Sequence, residues 1–229
     1  MNVSRIGAPK VLLFDVNETL LDLAELHESV DRVLLQHGSS KQWFSNVLHY
    51  SLVLTVSGQY RPFPEIGSAV LQMMATNRDV MLSEEDARTA IEPMRNAPAH
   101  PGVLPALDVF RRAGIRMAAL TNSTSDGVRV QLESAGIAGF FEQQLSVDSI
   151  GRYKPHRDVY DWAVGQMQVR PDECMLVAAH PWDVAGAAWA GLRTAFLARL
   201  GVRPLPLAPA PDIACLDLQD LASRLDGSN

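Results

Sequence analysis

The sequence contains few cysteines and no excess of positive charge, and both shortages exclude classes of protein. Two cysteines among 229 residues, Cys174 and Cys215, are too few for a disulfide framework and lack the spacing of a metal site. We expect both to be buried thiols of a protein in a reducing cytoplasm. Lysine and arginine total 20 against 26 aspartate and glutamate, a formal net charge of -6. A nucleic-acid binder normally presents a basic face, so we expect no nucleic-acid partner.

Long apolar runs are also missing from the sequence. No run reaches the about 18 residues that a membrane span needs, so we expect no membrane partner. Residues 1–10 have no apolar signal core, which agrees with a cytoplasmic location. Apolar residues nevertheless make up 47% of the chain, an ordinary value for a globular protein. The length allows one large domain or one domain that contains an insert.

Residues 11–14 are four apolar residues that lead directly to Asp15. An apolar run bounded by polar residues predicts a strand buried on both faces, as in a parallel sheet. In open α/β sheets, chemistry occurs beyond the carboxyl ends of the strands. Asp15 therefore lies where a functional carboxylate is expected. The other interpretation is an aspartate that caps a helix after a core strand.

The rest of the chain divides into a helical part and a part in which strands and helices alternate. Apolar residues recur at helical spacing through residues 21–97, without a strand pattern. Beyond the linker at residues 96–102, we predict strands at 115–120, 174–179, 194–197 and 213–216, and helices at 104–113, 128–135, 159–167 and 183–190. This order predicts an α/β fold with a doubly wound parallel sheet, a Rossmann-like core. We expect the core to comprise residues 1–20 and 98–229, and residues 21–97 to form a helical cap inserted after the first strand.

Polar side chains follow three of the predicted strands, and a lysine lies between the second and third of these: Asp15, then Thr121 and Asn122, then Lys154, then His180 and Asp183. A strand-end carboxylate such as Asp15 suits a nucleophile, and Lys154 would keep it ionised. Thr121 and Asn122 would hold an anion, and Asp183 would orient or deprotonate a water. Each residue alone also fits a structural role: an exposed lysine, a helix cap or a loop histidine. Their joint occurrence after successive strands favours a site.

In that order, Asp15, Thr121, Lys154 and Asp183 resemble the four motifs of the haloacid dehalogenase superfamily. Within it, the chain is most similar to the type II 2-haloacid dehalogenases. The similar segments are Leu120-Thr121-Asn122-Ser123, Tyr153-Lys154-Pro155 with Tyr160, Trp182-Asp183 with Gly186-Ala187, His49-Tyr50-Ser51 and Gly58-Gln59-Tyr60. The resemblance implies a small-molecule substrate, no cofactor or metal, and a homodimer.

The resemblance also implies a covalent mechanism. Asp15 displaces halide from carbon, and water, oriented by Asp183 with Lys154 nearby, hydrolyses the resulting ester. Asn122 solvates the departing halide, while Thr19 and Tyr160 position the nucleophile and support Lys154.

Two other functions remain open on the sequence alone. Phosphatases of the superfamily use a second aspartate, two residues after the first, as general acid, and here that position is Asn17. An amide exchanges no proton usefully near neutral pH, and a halide leaving group needs none. Ala179 also stands where those enzymes have a fourth-motif acid, which leaves few oxygen ligands for Mg²⁺. The alternatives are therefore a small-metabolite phosphatase and a non-catalytic ligand-binding member.

The sequence departs from the type II pattern at three places. Phe44 stands where the resemblance implies a cap arginine that clamps the substrate carboxylate, and Arg61 or Lys41 would have to supply that charge. Ala178-Ala179 replaces two serines, one of which should contact Lys154 or Asp15. His180 replaces an asparagine and could serve as an extra base or a substrate contact. Phe44 either packs against Trp43 or lines the pocket.

Overall fold

A computed structural model of the chain describes residues 8–225, apart from the side chain of Leu200. Residues 1–7 and 226–229, at the two ends of the predicted core, lie outside the described residues. Six strands form one sheet in the order β3-β2-β1-β4-β5-β6, and every neighbouring pair is parallel. The strands are β1 (Val11–Phe14), β2 (Arg116–Thr121), β3 (Gln143–Ser146), β4 (Cys174–Ala178), β5 (Arg193–Leu197) and β6 (Ile213–Cys215). The predicted doubly wound parallel sheet is confirmed.

The central strand of the sheet is β1, which pairs with β2 on one side and β4 on the other. Its four apolar side chains are completely buried, as a strand covered on both faces requires. The strand order reverses between β1 and β4, and open sheets bind ligands at such a reversal. Asp15 directly follows β1, so the register places its carboxylate at this point.

Nine α-helices surround or extend from the sheet within the described residues. Four of them, α1 (Ala24–Val33), α2 (Ser39–Val56), α3 (Phe63–Thr76) and α4 (Glu84–Ile91), lie between β1 and β2, and we call them the helical insert. The others are α5 (Val103–Arg112), α6 (Ser125–Ser134), α7 (Arg157–Met167), α8 (Pro181–Trp189) and α9 (Leu218–Leu225). Among the described residues, no helix has both the length and the apolar composition that crossing a bilayer requires.

The helical insert contacts the core through α2. The indole of Trp43 donates a 2.9 Å hydrogen bond to the Gly67 carbonyl, which fixes α2 to α3. At the other end of α2, the hydroxyl of Thr55 accepts a 3.1 Å hydrogen bond from the Tyr153 N–H. Because Tyr153 directly precedes Lys154, this contact holds α2 beside the segment that contains the lysine.

Two elements of the structure are absent from the sequence prediction, the strand β3 and the helix α9. The strand β3 at the edge of the sheet begins with Gln143 and Gln144, so it has no apolar run. The helix α9 does show a helical pattern, since Leu218, Leu221 and Ala222 are buried on one face. Helices α6, α7 and α8 also begin two or three residues earlier than predicted, because polar and proline residues form their first turns.

Candidate active site

The carboxylate of Asp15 is buried at the end of β1 and is held at both oxygens. The Thr19 hydroxyl donates a 2.6 Å hydrogen bond to Oδ2, and the Lys154 ammonium donates a 2.8 Å bond to Oδ1. Thr19 in turn accepts a 3.0 Å bond from the Ala179 N–H, just beyond β4. The hydroxyl of Thr19 is thus fully engaged by protein groups, so this residue positions the carboxylate.

The ammonium of Lys154 lies between two carboxylates. It donates to Asp15 Oδ1, to Asp183 Oδ2 at 2.7 Å and to the Leu120 carbonyl at 2.8 Å. A lysine has three N–H donors, and all three are used here. The ammonium is thus satisfied without the serine contact that the resemblance implies. Burial lowers the pKa of Lys154, but Asp15 and Asp183 outweigh that effect and raise it above its ordinary value.

The two carboxylates that share this ammonium have opposite pKa shifts. Burial raises the pKa of Asp15, but Lys154, His180 and the hydrogen bonds from Lys154 and Thr19 outweigh it, so the pKa lies below its ordinary value. For Asp183, burial and the nearby charge of Asp15 prevail over the effect of Lys154, so the pKa is raised. Asp15 is consequently suited to act as an ionised nucleophile and Asp183 as a base.

Asp183 belongs to the first turn of α8 and is completely buried. Its Oδ1 accepts a 2.6 Å hydrogen bond from the hydroxyl of Tyr160 on α7. Tyr160, which we expect to support Lys154, reaches it through Asp183, whose Oδ2 accepts the hydrogen bond from the Lys154 ammonium. Gly186 makes this contact possible, since a Cβ at that position would lie 2.7 Å from Tyr160 Oη.

The residues after β2 form a turn beside the lysine segment. Thr121 Oγ1 accepts a 3.0 Å hydrogen bond from the Ser123 N–H, so this hydroxyl is used within the turn. Asn122 Oδ1 accepts a 3.0 Å bond from the Lys154 N–H. The amide nitrogen Nδ2 of Asn122 is buried and has no hydrogen-bond partner. Asn122 therefore offers an unpartnered NH2 group that an anion could use, whereas Thr121 Oγ1 accepts a bond from its own turn.

Phe44 both packs against Trp43 and contacts the core. Its ring lies 6.1 Å from the Trp43 ring and 6.0 Å from the imidazole of His180, in the second case nearly parallel at 23°. His180 also stacks on Trp182, with the ring centroids 5.2 Å apart. The imidazole thus contacts one ring from the helical insert and one from the core.

Sequence analysis missed Glu18, which links two histidines beside Asp15. Its Oε2 lies 3.4 Å from His180 Nε2, and its Oε1 lies 3.1 Å from His27 Nε2 on α1. His180 Nε2 is also 3.8 Å from Asp15 Oδ2 and 3.3 Å from the Asn17 carbonyl. Glu18 has φ 60°, a conformation that non-glycine residues adopt rarely and mostly where the surroundings impose it. No residue pattern in the sequence signals this conformation.

Both polar atoms of the Asn17 side-chain amide form hydrogen bonds. Its Nδ2 donates a 3.0 Å hydrogen bond to Ser123 Oγ, and its Oδ1 accepts a 2.9 Å bond from Gln131 Nε2 on α6. Asn17 is therefore part of a buried network that fastens the turn after β1 to α6. This network gives it no means to protonate a leaving group.

Comparison with known proteins relates the chain to one family. The family model described as a haloacid dehalogenase-like hydrolase matches residues 9–191. Haloacetate dehalogenase H-2 from Moraxella sp. (strain B) is 28% identical over 208 residues, which cover 89% of this chain and 92% of that protein. (S)-2-haloacid dehalogenase 1 from Pseudomonas sp. (strain CBS-3) is 26% identical over 204 residues, or 88% and 89% of the two chains. A structure of L-2-haloacid dehalogenase from Xanthobacter autotrophicus with chloropropionic acid covalently bound shares the fold. Its TM-score is 0.86 at 22% identity, with coverage of 96% of this chain and 100% of that one.

Proposed function

The chain belongs to the haloacid dehalogenase-like hydrolases, and from that premise we propose that it cleaves a carbon–halogen bond in a small haloalkanoic acid. The resemblance to the type II 2-haloacid dehalogenases and the names of the relatives support this substrate class. The observation on which the proposal depends most is the single ammonium of Lys154 between Asp15 and Asp183. This arrangement supplies a nucleophile, a base and a fixed cation without any further group.

In the first step, one oxygen of ionised Asp15 attacks the carbon that bears the halogen. A carbon–oxygen bond forms as the carbon–halogen bond breaks, and the halide leaves with the electron pair. Lys154 and Thr19 each donate a hydrogen bond to one oxygen of the carboxylate. These bonds keep the carboxylate ionised and fix its orientation. The free N–H of Asn122 is a suitable donor for the departing halide.

In the second step, a water attacks Cγ of the Asp15 ester. Asp183 accepts a proton from that water, and burial, the largest cause of its raised pKa, persists when Asp15 is esterified. The bond between Cγ and the ester oxygen, which came from Asp15, then breaks, and the departing alkoxide takes the proton from Asp183 to become a hydroxy acid. Asp15 regains its carboxylate by releasing the second proton of the water to solvent, and it retains one oxygen atom from that water.

The site favours this reaction over phosphate ester hydrolysis. A phosphatase must protonate an alkoxide leaving group, and both amide ends of Asn17 are engaged by Ser123 and Gln131. Halide leaves without a proton, so an amide at this position costs the proposed reaction little. A non-catalytic role is disfavoured by the intact contacts among Asp15, Lys154 and Asp183.

We further propose that residues 21–97 act as a cap, that the enzyme forms a homodimer and that it works in the cytoplasm. Phe44 of the helical insert stacks on His180, which lies 3.8 Å from Asp15, and this supports the cap. The homodimer rests on the family resemblance alone. The free, buried thiols of Cys174 and Cys215 support the reducing compartment.

A panel of substrates tests the proposed reaction. The protein is incubated with chloroacetate, both enantiomers of 2-chloropropionate and an aryl phosphate, each with Mg²⁺ and with a chelator. We expect halide release that the chelator does not change. Phosphate release that the chelator abolishes would identify a phosphatase instead. Turnover of no substrate in the panel would favour a ligand-binding member. The Asp15→Asn variant, checked by mass for deamidation, is the inactive control.

A further inference from the structure

A cavity of about 300 Å³ lies between the helical insert and the segment that leads from β2 into α6. The insert contributes the buried side chains of Trp43, Phe63 and Ile91 to its wall, and the core contributes Ser123 and Gln131. Ligand pockets in proteins begin at about this volume and are mostly apolar, with a few polar groups that fix the ligand. The cavity therefore has the size and the lining of a site for a small molecule.

The cavity is separate from the carboxylate of Asp15. Neither Asp15 nor Lys154 lines it. Its wall residues Ser123 and Gln131 are instead the two partners of the Asn17 amide. A molecule in the cavity would therefore contact the network that fastens the turn after β1, and it would leave the nucleophile free. The proposed reaction makes no use of this space.

The polar group of the buried wall that lacks a partner is a hydrogen-bond acceptor. Gln131 Nε2 donates 2.9 Å hydrogen bonds to Asn17 Oδ1 and to the Met94 carbonyl, which can only accept, so the amide has one orientation. Its Oε1 is buried and has no hydrogen-bond partner. The indole N–H of Trp43 is already used by the Gly67 carbonyl. Because an unpaired buried acceptor is costly, the wall favours a ligand that donates a hydrogen bond to Gln131.

The rim of the cavity carries negative charge in excess. Four charged side chains line the cavity and are exposed or half-buried: Glu65, Arg88, Glu92 and Arg95. Arg88 forms an ion pair with Glu84, and Arg95 forms one with Asp126 at 3.1 Å. Among the residues that the structure describes, no cation pairs with Glu65 or Glu92. The rim therefore offers two carboxylates to a cationic ligand.

We propose that this cavity is a second ligand site, and that it binds an arylalkylamine whose ring carries a hydrogen-bond donor. The aromatic ring packs against Trp43 and Phe63, and the donor on the ring bonds to Gln131 Oε1. The ammonium group lies at the rim beside Glu65 and Glu92. A ligand of this class is opposite in charge to a haloalkanoate, so the two sites select different molecules.

Three related probes test the two polar contacts without changing the wall. Tyramine has both the ammonium group and the phenol, 4-ethylphenol lacks the ammonium group, and phenethylamine lacks the hydroxyl. Their dissociation constants are measured by calorimetry at neutral pH and low salt. We expect tyramine to bind about fivefold more tightly than either of the others, in the range for one exposed charge pair or one buried hydrogen bond. Added salt should reduce its advantage over 4-ethylphenol.

Variants of the rim test where the ammonium group binds. The double variant Glu65→Gln/Glu92→Gln removes both charges from exposed positions and keeps the side-chain shapes. We expect it to bind tyramine and 4-ethylphenol equally and to retain the preference for tyramine over phenethylamine. The matched control is Glu25→Gln, an exposed carboxylate on α1 that does not line the cavity, and it should match the wild type.

Binding at the cavity and binding at the active site are distinguished by Asp15→Asn. This variant should bind tyramine as tightly as the wild type, and excess lactate should not displace tyramine. Absence of tyramine binding at millimolar concentrations, equal binding of tyramine and 4-ethylphenol by the wild type, or displacement by lactate would overturn the second site. None of these measurements depends on halide release, so they decide the matter whether or not the proposed function holds.

Discussion

The hydroxyl of Tyr160 donates a 2.6 Å hydrogen bond to Asp183 Oδ1, and both side chains are completely buried. Asp183 is thereby fixed from one side by a neutral donor and from the other by the ammonium of Lys154. The bond also limits how far burial raises the pKa of Asp183, because it stabilises the ionised form.

Tyr160→Phe removes the hydroxyl and leaves the ring in place. We expect kcat to fall about tenfold, in the range for losing one positioned donor at a reacting group. The pKa of Asp183 should rise further without the bond, so the acid limb of the kcat profile should move to higher pH. The control is Tyr153→Phe, which loses a hydroxyl that donates to the Arg61 carbonyl and should leave the profile unchanged. Identical profiles for both variants would contradict the role of Tyr160.

Lys154→Met removes the cation and leaves two buried carboxylates unpaired. We expect no measurable turnover and a loss of about 3–5 kcal/mol in the free energy of unfolding, as for other buried pairs that lose one partner. The loss should shrink at acid pH, because protonation removes the charges of Asp15 and Asp183. Urea denaturation at two pH values measures both effects. Lys10→Ala, which removes the exposed cation of an ion pair with the half-buried Glu173, should change stability far less.

The opposite pKa shifts of Asp15 and Asp183 predict that the two steps respond differently to acid. As pH falls, Asp183 binds a proton first because its pKa is raised, whereas Asp15 stays ionised longer because its pKa is lowered. Ester formation should therefore continue at pH values where ester hydrolysis slows. Rapid quenching followed by mass spectrometry of the Asp15 peptide should show more alkylated enzyme in acid than at neutral pH. Equal amounts at both pH values would refute this order of titration.

Gly186→Ala tests the close approach of α8 to α7. A Cβ at position 186 would lie 2.4 Å from Pro155 Cβ and 2.7 Å from Tyr160 Oη, so the bond between Tyr160 and Asp183 should be displaced together with the segment that follows Lys154. We expect a loss of about 1–3 kcal/mol in stability, typical of overpacking, together with lower kcat. Gly165→Ala is the matched control on α7, where an added Cβ meets no atom within 4 Å. That variant should be as stable as the wild type or more so, because alanine favours helix.

The fold was predictable because its main signals are local. The apolar run before Asp15 and the alternation of strands and helices after residue 97 predict a parallel sheet. Because the strands are parallel, the polar residues that follow them lie together at the carboxyl ends of the strands. The edge strand β3 was not predictable from an apolar pattern, because it begins with the polar residues Gln143 and Gln144. Its strand conformation comes from backbone pairing with β2. Its stability depends on the neighbouring strand β2, which lies 22 or more residues earlier in the chain.

The partners of the site residues were less predictable than the residues themselves. Tyr160 reaches Asp183 because Gly186 leaves space for its hydroxyl. Lys154 reaches the Leu120 carbonyl because the strand register places that carbonyl beside the ammonium. Glu18 gives no sequence signal, because its role follows from a left-handed backbone conformation. Contacts between distant segments are set by packing, which a residue pattern does not encode.

The central claim is that Asp15 forms a covalent ester whose hydrolysis places a water oxygen on its own side chain. A single turnover of excess enzyme with 2-chloropropionate in ¹⁸O-labelled water tests this directly, with mass spectrometry of the Asp15 peptide and of the lactate product. The account predicts one ¹⁸O atom in Asp15 and unlabelled lactate from the first turnover. Label in the lactate and none in Asp15 would mean that water attacks the substrate itself, and it would contradict the account.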